Sequence, residues 1–349
     1  MSITRICICS VQVPFVRGGA EFLVDSLKEA LRSRGFTTDV INLPFKWYPS
    51  REVLSHALAW RLLDLSESQG QPIDLVIATK FPSYLVRHEH KVTWLVHQFR
   101  QAYDLYGTPY GDLTESPEDQ RVREAVQYMD NSILPESRRI FTIAQNVSNR
   151  LQHYNGIASV PLYPPPPLGD RYRCDEYGDF VLSVGRLESI KRVDLLLRAL
   201  ALTRSRLRGV ITGAGPDASR LAALAQELKL NDRVTFTGFV SEEKLLSLYA
   251  RCRAVFYAPY DEDYGYVTLE AMRSQKPLVT TLDAGGVLEF VKDQETGLIA
   301  EPESAALAEA LDRLADDASL CQRLGQRGAE QVGDITWDRV IENLLSAAP

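Results

Sequence analysis

Two segments in the second half of the chain carry residue types that bind phosphate and hydroxyl groups. The first, residues 185–192, reads Gly-Arg-Leu-Glu-Ser-Ile-Lys-Arg and follows an apolar run that ends at Val184. Free amides and the dipole at a helix start attract anions, and Arg186 with Lys191 would neutralise a phosphate there. The spacing of a Walker loop is absent. The segment therefore indicates an anion site, with a solvated basic turn as the alternative.

The second segment, residues 259–272, holds two acids, Glu262 and Glu270. Between them, Gly265 permits a tight entry into a helix whose first amides could meet a second anion. Carboxylates accept hydrogen bonds from hydroxyl groups, and two of them at this spacing suit the recognition of a polyol. The alternative makes Glu262 a capping acid at a helix start and Glu270 a solvated surface residue.

The elements around these segments form two series of alternating strands and helices. Strands are predicted at 5–11, 38–43, 75–78, 92–96 and 140–143, and again at 180–184, 207–212, 234–237, 254–258 and 278–281. The proline-rich stretch 161–167 cannot continue a helix or a central strand, so it separates the series. The fold class is α/β, with two doubly wound, Rossmann-like domains facing across a cleft. Ligands in such sheets bind beyond the carboxyl ends of the strands, where both segments lie.

Composition and charge limit the class of protein. The 349 residues, 45% of them hydrophobic and 24% charged, are typical of a soluble globular protein and suffice for two domains. A net charge of -7 argues against general nucleic-acid binding, which needs a basic face. No apolar run approaches the length of a membrane-spanning helix, and the five cysteines are scattered. We therefore expect a cytoplasmic protein with its cysteines buried as small apolar groups.

The first half of the chain offers fewer candidates for chemistry. Gly18 and Gly19 form a turn between the first strand and the first helix. His97 follows an apolar strand, and a functional histidine and a core or capping histidine are the two alternatives. An aromatic, glycine-rich loop is either a platform for a sugar ring or a packed surface loop, and it contains Tyr103, Tyr106 and Tyr110.

Taken in order, these motifs resemble the retaining family 4 glycosyltransferases, which belong to the glycosyl transferases group 1 and have the GT-B fold. The resemblance covers nearly the whole chain. It is strongest over residues 177–302, where VLSVGRLESIKR, ITGAGP, VTFTGFVSEEKL, APYDEDYGYVTLEAM, KPLVTT and DAGGVLEFVKDQETG follow one another in the family's order. It is weaker in the first half, where residues 18–21 and 163–165 are the recognisable parts.

The resemblance implies a nucleotide sugar as donor, a UDP- or GDP-hexose, with no metal or other cofactor required. Arg186 and Lys191 would hold its diphosphate and stabilise the charge that grows on the leaving group. Glu270 would bind the ribose hydroxyls and Glu262 those of the sugar, while His97 would lie near the sugar or the acceptor. The catalytic set is therefore Glu262, His97, Arg186 and Lys191.

The resemblance also implies a wider donor-binding set. The amides of Gly265 and Tyr266 would meet sugar and phosphate oxygens, and the loop 238–240 would lie against the base. Glycines early in the chain would let the backbone approach the diphosphate. Besides the charged residues, the set comprises Gly18, Gly19, Gly213, Phe239, Val240, Gly265, Tyr266 and Val267.

The chain departs from the family's common Glu-Pro-Phe-Gly-Leu motif, because residues 262–266 are Glu-Asp-Tyr-Gly-Tyr. The spacing of the two acids is kept, so the phosphate and ribose roles are unaffected. Tyr266 stands where the sugar-contacting loop of the family runs, so the identity of the hexose stays open.

The predicted function is retaining transfer of a hexosyl unit to an acceptor hydroxyl, in the synthesis of a bacterial polysaccharide, lipopolysaccharide or glycolipid. We expect an acceptor-side domain over 1–163, a nucleotide-sugar domain over 164–335 and a helix over 336–349 that packs back on the first domain. Expected partners are the donor and a sugar or lipid-linked acceptor, without nucleic acid; peripheral contact with the inner face of a membrane is left open. The alternatives are a nucleotide-sugar epimerase and a non-catalytic subunit that binds sugar nucleotides.

Overall fold

The computed structural model describes residues 3–346, which divide into two compact units. Unit 1 comprises residues 3–167 together with 335–346, and unit 2 comprises residues 168–334. Each unit has a parallel sheet of six strands with its own hydrophobic core. In the described residues no helix is both long and apolar enough to cross a membrane.

The sheet of unit 1 is built from apolar runs whose side chains are covered on both faces, as parallel sheets require. Its strands are β1 (Arg5–Gln12), β2 (Thr37–Pro44), β5 (Leu75–Ala78), β6 (Lys91–Leu95), β7 (Arg139–Thr142) and β8 (Val160–Pro161). Their order is β2-β1-β5-β6-β7-β8. A short hairpin, β3 (Glu67–Ser68) with β4 (Gln71–Pro72), lies outside this sheet. The order reverses direction between β1 and β5, so the sheet is doubly wound.

The helices of unit 1 connect its strands and include the last helix of the chain. They are α1 (Gly19–Arg32), α2 (Glu52–Leu62), α3 (Pro117–Ile133), α4 (Gln145–Asn155) and α11 (Trp337–Ser346). The ring of Trp337 packs edge-on against Trp94 with centroids 6.2 Å apart. Asp338 forms an ion pair with Arg34, just beyond α1. Burial of Val340, Ile341 and Leu344 shows that the apolar face of α11 belongs to the core of unit 1.

Unit 2 has the strand order of a dinucleotide-binding sheet. Its strands are β9 (Phe180–Val184), β10 (Arg208–Thr212), β11 (Val234–Gly238), β12 (Ala254–Phe256), β13 (Leu278–Thr281) and β14 (Gly297–Ala300), in the order β11-β10-β9-β12-β13-β14. Its helices are α5 (Val193–Leu202), α6 (Ala218–Glu227), α7 (Glu242–Arg251), α8 (Tyr266–Arg273), α9 (Ser304–Asp316) and α10 (Ala318–Gln331). The order reverses between β9 and β12, and ligands of such sheets bind at that reversal. The prediction of two Rossmann-like α/β domains is confirmed in the two sheets.

Glycines bring the loops after β9 and β10 together at the carboxyl edge of the unit 2 sheet. Gly213 has φ +121°, and a Cβ atom there would overlap the carbonyl oxygen of Gly185. Two main-chain hydrogen bonds join the loops, from Gly185 N to Thr212 O at 3.1 Å and from Leu187 N to Ala214 O at 3.0 Å. Contacts between backbone atoms therefore fix the turn that follows β9.

Candidate functional site

The two segments singled out by their chemistry meet at the reversal of the unit 2 sheet. Residues 185–192 follow β9 and residues 259–265 follow β12, and these two strands are neighbours. The amide of Tyr260 donates to the carbonyl oxygen of Ile190 at 2.9 Å, which ties one segment to the other. Parallel strands place their carboxyl ends at one edge of the sheet, so the charged side chains of the two segments lie together at that edge.

Arg192 fixes the position of the first segment. Its guanidinium donates to both carboxylate oxygens of Asp283 at 2.7 Å and to Thr281 Oγ1 at 2.8 Å. It also donates to the carbonyl oxygens of Ala258 and Pro259 at 2.9 Å. A planar guanidinium suits such a set of acceptors, so Arg192 holds the turn in place instead of offering its charge to a ligand.

Lys191 and Glu262 form the central ion pair of the site. The ammonium of Lys191 contacts Glu262 Oε2 and lies 3.4 Å from the hydroxyl of Tyr257. The two charged side chains are 22% and 15% exposed, so the pair is largely covered yet open to a ligand. Two of the predicted catalytic residues are thus in direct contact. A diphosphate entering here would compete with the carboxylate for the ammonium.

Gly265 shapes the start of α8. It has φ +76°, and a Cβ atom there would lie 2.7 Å from the ring of Tyr257 and 3.3 Å from Glu262 Cγ. Gly265 is the N-cap of the helix and Tyr266 its first residue, so the first free amides of α8 follow directly. The interpretation of Glu262 as the helix cap is wrong, because this cap position is occupied by Gly265. The side chain of Val267 is buried in the first turn.

Glu270 lies on the second turn of α8 and is buried, with 8% of its surface exposed. Its Oε2 accepts a hydrogen bond of 2.6 Å from the hydroxyl of Tyr249. Burial raises the pKa of Glu270, and the hydroxyls of Tyr249 and Tyr172 act in the opposite direction. The alternative of a solvated surface acid is wrong, because the side chain of Glu270 is buried and its carboxylate is hydrogen-bonded to Tyr249.

The other predicted donor-binding residues of unit 2 lie on the same edge of the sheet. Arg186 directly follows Gly185 and forms an ion pair with Glu188, with 41% of the Arg186 side chain exposed. Phe239 follows β11 and is 81% exposed, and Val240 is half-buried. An exposed ring at such an edge offers a face on which a planar base can stack.

The predicted residues of unit 1 occupy the loops after β1 and β6. Gly18 is the N-cap of α1, Gly19 is its first residue, and the amide of Gly18 donates to Glu21 at 2.8 Å. Glu21 in turn accepts from Lys80, at the end of β5, over 3.1 Å. His97 is half-buried, and its Nδ1 lies 2.6 Å from the carbonyl oxygen of Gln98.

The aromatic loop of unit 1 is packed at one end. Tyr103 is buried and donates to Asp130 at 2.7 Å, so it is a core residue and not part of a platform. Tyr106 lies under the guanidinium of Arg123, with 4.3 Å from that group to the ring centroid. The sequence offered no signal for Asp130, because an acid on a polar helix is ordinarily a surface residue.

Sequence reasoning also missed Tyr257 and Lys80. Both stand just past the end of a central strand, β12 and β5 respectively, and both bond a carboxylate. For Lys80 the position beyond the predicted strand 75–78 was the available signal, since ligands bind at such ends, whereas Tyr257 fell within the predicted strand 254–258. In the described residues no group of three or more His, Cys, Asp or Glu side chains could hold a metal ion.

Known proteins resemble this chain in sequence and in fold. Residues 171–331 match the family model of the glycosyl transferases group 1. This segment, which is less than half of the chain, is therefore similar to the members of that family. A D-inositol 3-phosphate glycosyltransferase of Nocardia farcinica is 34% identical over 280 residues, which are 73% of this chain and 61% of the relative. The chain thus spans less than two thirds of that relative's length.

Solved structures share the fold across both units. A sucrose-phosphate synthase of Thermosynechococcus elongatus has a TM-score of 0.75 at 20% identity, covering 98% of each chain. HepE of Anabaena, solved in complex with UDP and glucose, has a TM-score of 0.71 at 17% identity and also covers 98% of each chain. The fold of this chain is therefore that of the GT-B glycosyltransferases.

Proposed function

We propose that this protein is a retaining family 4 hexosyltransferase that moves a hexosyl unit from a nucleoside diphosphate sugar to an acceptor hydroxyl. The observation that carries the proposal is the Lys191–Glu262 ion pair at the reversal of the unit 2 sheet. A diphosphate can take the cation while hydroxyl groups of the sugar take the carboxylate, so one ligand satisfies both partners. The match of residues 171–331 to the glycosyl transferases group 1 supports the same function.

The donor's parts correspond to groups at the carboxyl edge of the unit 2 sheet. Lys191 and Arg186 would exchange their carboxylates for the diphosphate, and the first amides of α8 would donate to its oxygens. Glu270, held by Tyr249, would accept from the ribose hydroxyls, and the exposed ring of Phe239 would stack on the base. Cations on the leaving diphosphate stabilise charge that grows in the transition state.

Retention would follow from attack on the same face of the sugar as the leaving group. A leaving phosphate oxygen would take the proton of the acceptor hydroxyl, with Glu262 orienting the sugar and His97 near the sugar or the acceptor. Expulsion of water during donor binding would protect the reacting centre from hydrolysis. This route needs no metal, because Lys191 and Arg186 supply the positive charge.

The donor is proposed to be a UDP- or GDP-hexose, and the UDP and glucose bound to HepE support the former. The acceptor is proposed to be a sugar or lipid-linked hydroxyl in polysaccharide, lipopolysaccharide or glycolipid synthesis. The domain division at 163/164, with a final helix from residue 336, is retained as part of the proposal; the last residues predicted for that helix, 347–349, lie outside the described residues. A cytoplasmic location is also retained, with peripheral contact at the inner face of a membrane left open.

The first test is a thermal-shift screen of UDP-, GDP-, dTDP- and ADP-sugars without added metal. A donor at about 100 times its Kd should stabilise the folded protein by about 2.7 kcal/mol. Lys191→Ala should remove that shift and lower turnover by roughly 10²- to 10³-fold, since a group that stabilises transition-state charge is lost. Lys292→Ala, an exposed lysine before β14, is the matched control and should behave as the wild type.

Each outcome of the screen has a definite meaning. Full turnover by Lys191→Ala would contradict the phosphate site. An epimerised nucleotide sugar, formed without acceptor, would favour an epimerase. A folded wild type that responds to none of the donors would favour a subunit that needs a partner.

A further inference from the structure

Tyr257 links the two charged residues of the central pair. It directly follows β12 and is buried, with 6% of its surface exposed. Its hydroxyl donates to Glu262 Oε2 at 2.7 Å, and Lys191 Nζ lies 3.4 Å from the same hydroxyl. An ammonium can only donate, so the hydroxyl accepts from Lys191 and gives its single hydrogen to Glu262.

The ring of Tyr257 has little freedom to move. Its amide donates to the carbonyl oxygen of Val279 at 3.0 Å, which fixes the backbone to β13. Gly265 lies against the ring so closely that a Cβ atom there would be 2.7 Å from a ring carbon. Burial and, to a smaller extent, the negative charge of Glu262 raise the pKa of Tyr257 well above its usual value. The hydroxyl therefore stays protonated and remains a donor at physiological pH.

Donor binding would separate Glu262 from the ammonium of Lys191. Its carboxylate is compensated by Lys191, and both side chains are largely covered. When the ammonium turns to a diphosphate, a covered carboxylate loses the positive charge that Lys191 supplied, which is costly in a region of reduced dielectric. The hydrogen bond from Tyr257 persists through this exchange, and it strengthens because the acceptor carries a less compensated charge.

We propose that Tyr257 is a positioning residue that holds Glu262 in place while Lys191 moves from the carboxylate to the donor's diphosphate. This inference rests on the proposed function and adds to it the residue that stabilises the carboxylate of Glu262 while Lys191 changes partners. Glu262 then stays aimed at the same point whether or not the ammonium is beside it. The free nucleoside diphosphate is the diagnostic ligand, because it draws Lys191 away without offering sugar hydroxyls to the carboxylate.

The test is a double-mutant cycle on binding of the nucleoside diphosphate whose sugar responds in the screen. Tyr257→Phe keeps the ring and removes the hydroxyl. Its Kd for the nucleoside diphosphate, measured by calorimetry, should rise about 5- to 10-fold, the difference between a hydrogen bond to a charged group and one to a neutral group. Only this difference counts, because the bond is present before and after the exchange. In a Glu262→Gln background the same change should alter Kd by less than about threefold, since no charge remains to be held.

Two results would overturn the inference. One is an unchanged Kd in Tyr257→Phe, and the other is an equal loss in both backgrounds, which is what a packing role gives. If the wild type binds no nucleoside diphosphate or sugar nucleotide, the proposed function fails. If the wild type binds and Lys191→Ala does not, while Tyr257→Phe binds normally, only the role of Tyr257 fails.

Discussion

A buried carboxyl in unit 1 makes the stability of this unit depend on pH. Asp130 lies on the inner face of α3, fully buried, and accepts hydrogen bonds from Tyr84 at 2.6 Å and Tyr103 at 2.7 Å. Burial raises the pKa of Asp130 from 3.8 to about 7, against the opposing effect of the two tyrosine hydroxyls. The folded protein therefore holds a proton that the unfolded chain releases at lower pH.

The sign and size of the effect follow from proton linkage. The contribution of a carboxyl with a raised folded pKa is fully present below about pH 4 and is lost as pH rises through 7. The free energy of unfolding falls by about 1.3 kcal/mol from pH 5 to 6 and by about 1.0 kcal/mol from pH 6 to 7, because the unfolded chain is ionised there and the folded chain is mostly not. Above pH 7 the loss levels off. From pH 5 to pH 8 the free energy of unfolding should fall by about 2.6 kcal/mol through this group.

The perturbation that isolates this effect is Asp130→Asn, which cannot ionise. Urea unfolding of wild type and variant should be followed by tryptophan fluorescence, since every tryptophan of the chain belongs to unit 1: Trp47, Trp60, Trp94 and Trp337. The stability difference between the two proteins should change by about 2.6 kcal/mol between pH 5 and pH 8, with other groups cancelling.

Asp119→Asn is the matched control in the same unit. Hydrogen bonds from Ser50 and Thr114 lower the pKa of Asp119 to about 2, so this carboxyl is ionised in both states across the measured range. Its removal should shift stability by a constant amount from pH 5 to pH 8. A constant difference for Asp130→Asn as well would refute the reasoning, because it would mean that Asp130 is ionised in the fold.

Two further changes test unit 2. Gly213→Ala should lower its free energy of unfolding by more than about 3 kcal/mol, since the new Cβ atom overlaps the Gly185 carbonyl; Gly169→Ala, with positive φ but open space, should cost about 1 kcal/mol in circular-dichroism melts. Equal costs would show that the close approach does not matter. Glu270→Gln should reduce the preference for UDP over its 2′-deoxy analogue by about tenfold in calorimetric Kd values, because the ribose acceptor loses its charge. An unchanged preference would remove Glu270 from the ribose site.

Strands were the most predictable part of this fold. The predicted strands at 75–78 and 180–184 coincide with β5 and β9. These are unbroken apolar runs or strongly periodic segments, bounded by glycine or charged residues, so local pattern and tertiary burial agree. Helices such as α2 and α3 were not anticipated. α2 spreads its apolar and polar residues around the helix axis and α3 is largely polar, so neither presents a broad apolar face in the sequence.

The candidate site was predictable where a motif fixed both residue type and spacing. Lys191 and Glu262 are 71 positions apart in sequence, yet their contact follows once both loops are assigned to neighbouring strands. The role of Arg192 was not predictable. Its charge is indistinguishable in sequence from that of Lys191, and only the acceptors that surround it in the fold show that it is fully used. Tyr257 was missed for a related reason, because a tyrosine that ends a buried strand is ordinarily a packing residue.

The clamp formed by Arg192 bears on how this protein could be re-engineered. Its five hydrogen bonds tie the turn after β9 to the ends of β12 and β13. The part of the site that would hold phosphate is therefore anchored in one conformation. Selection for a different sugar therefore has little to gain from residues 185–192 and risks unfolding the turn. Libraries aimed at a new donor should vary residues 263, 264 and 266, which lie next to Glu262 and leave the clamp untouched.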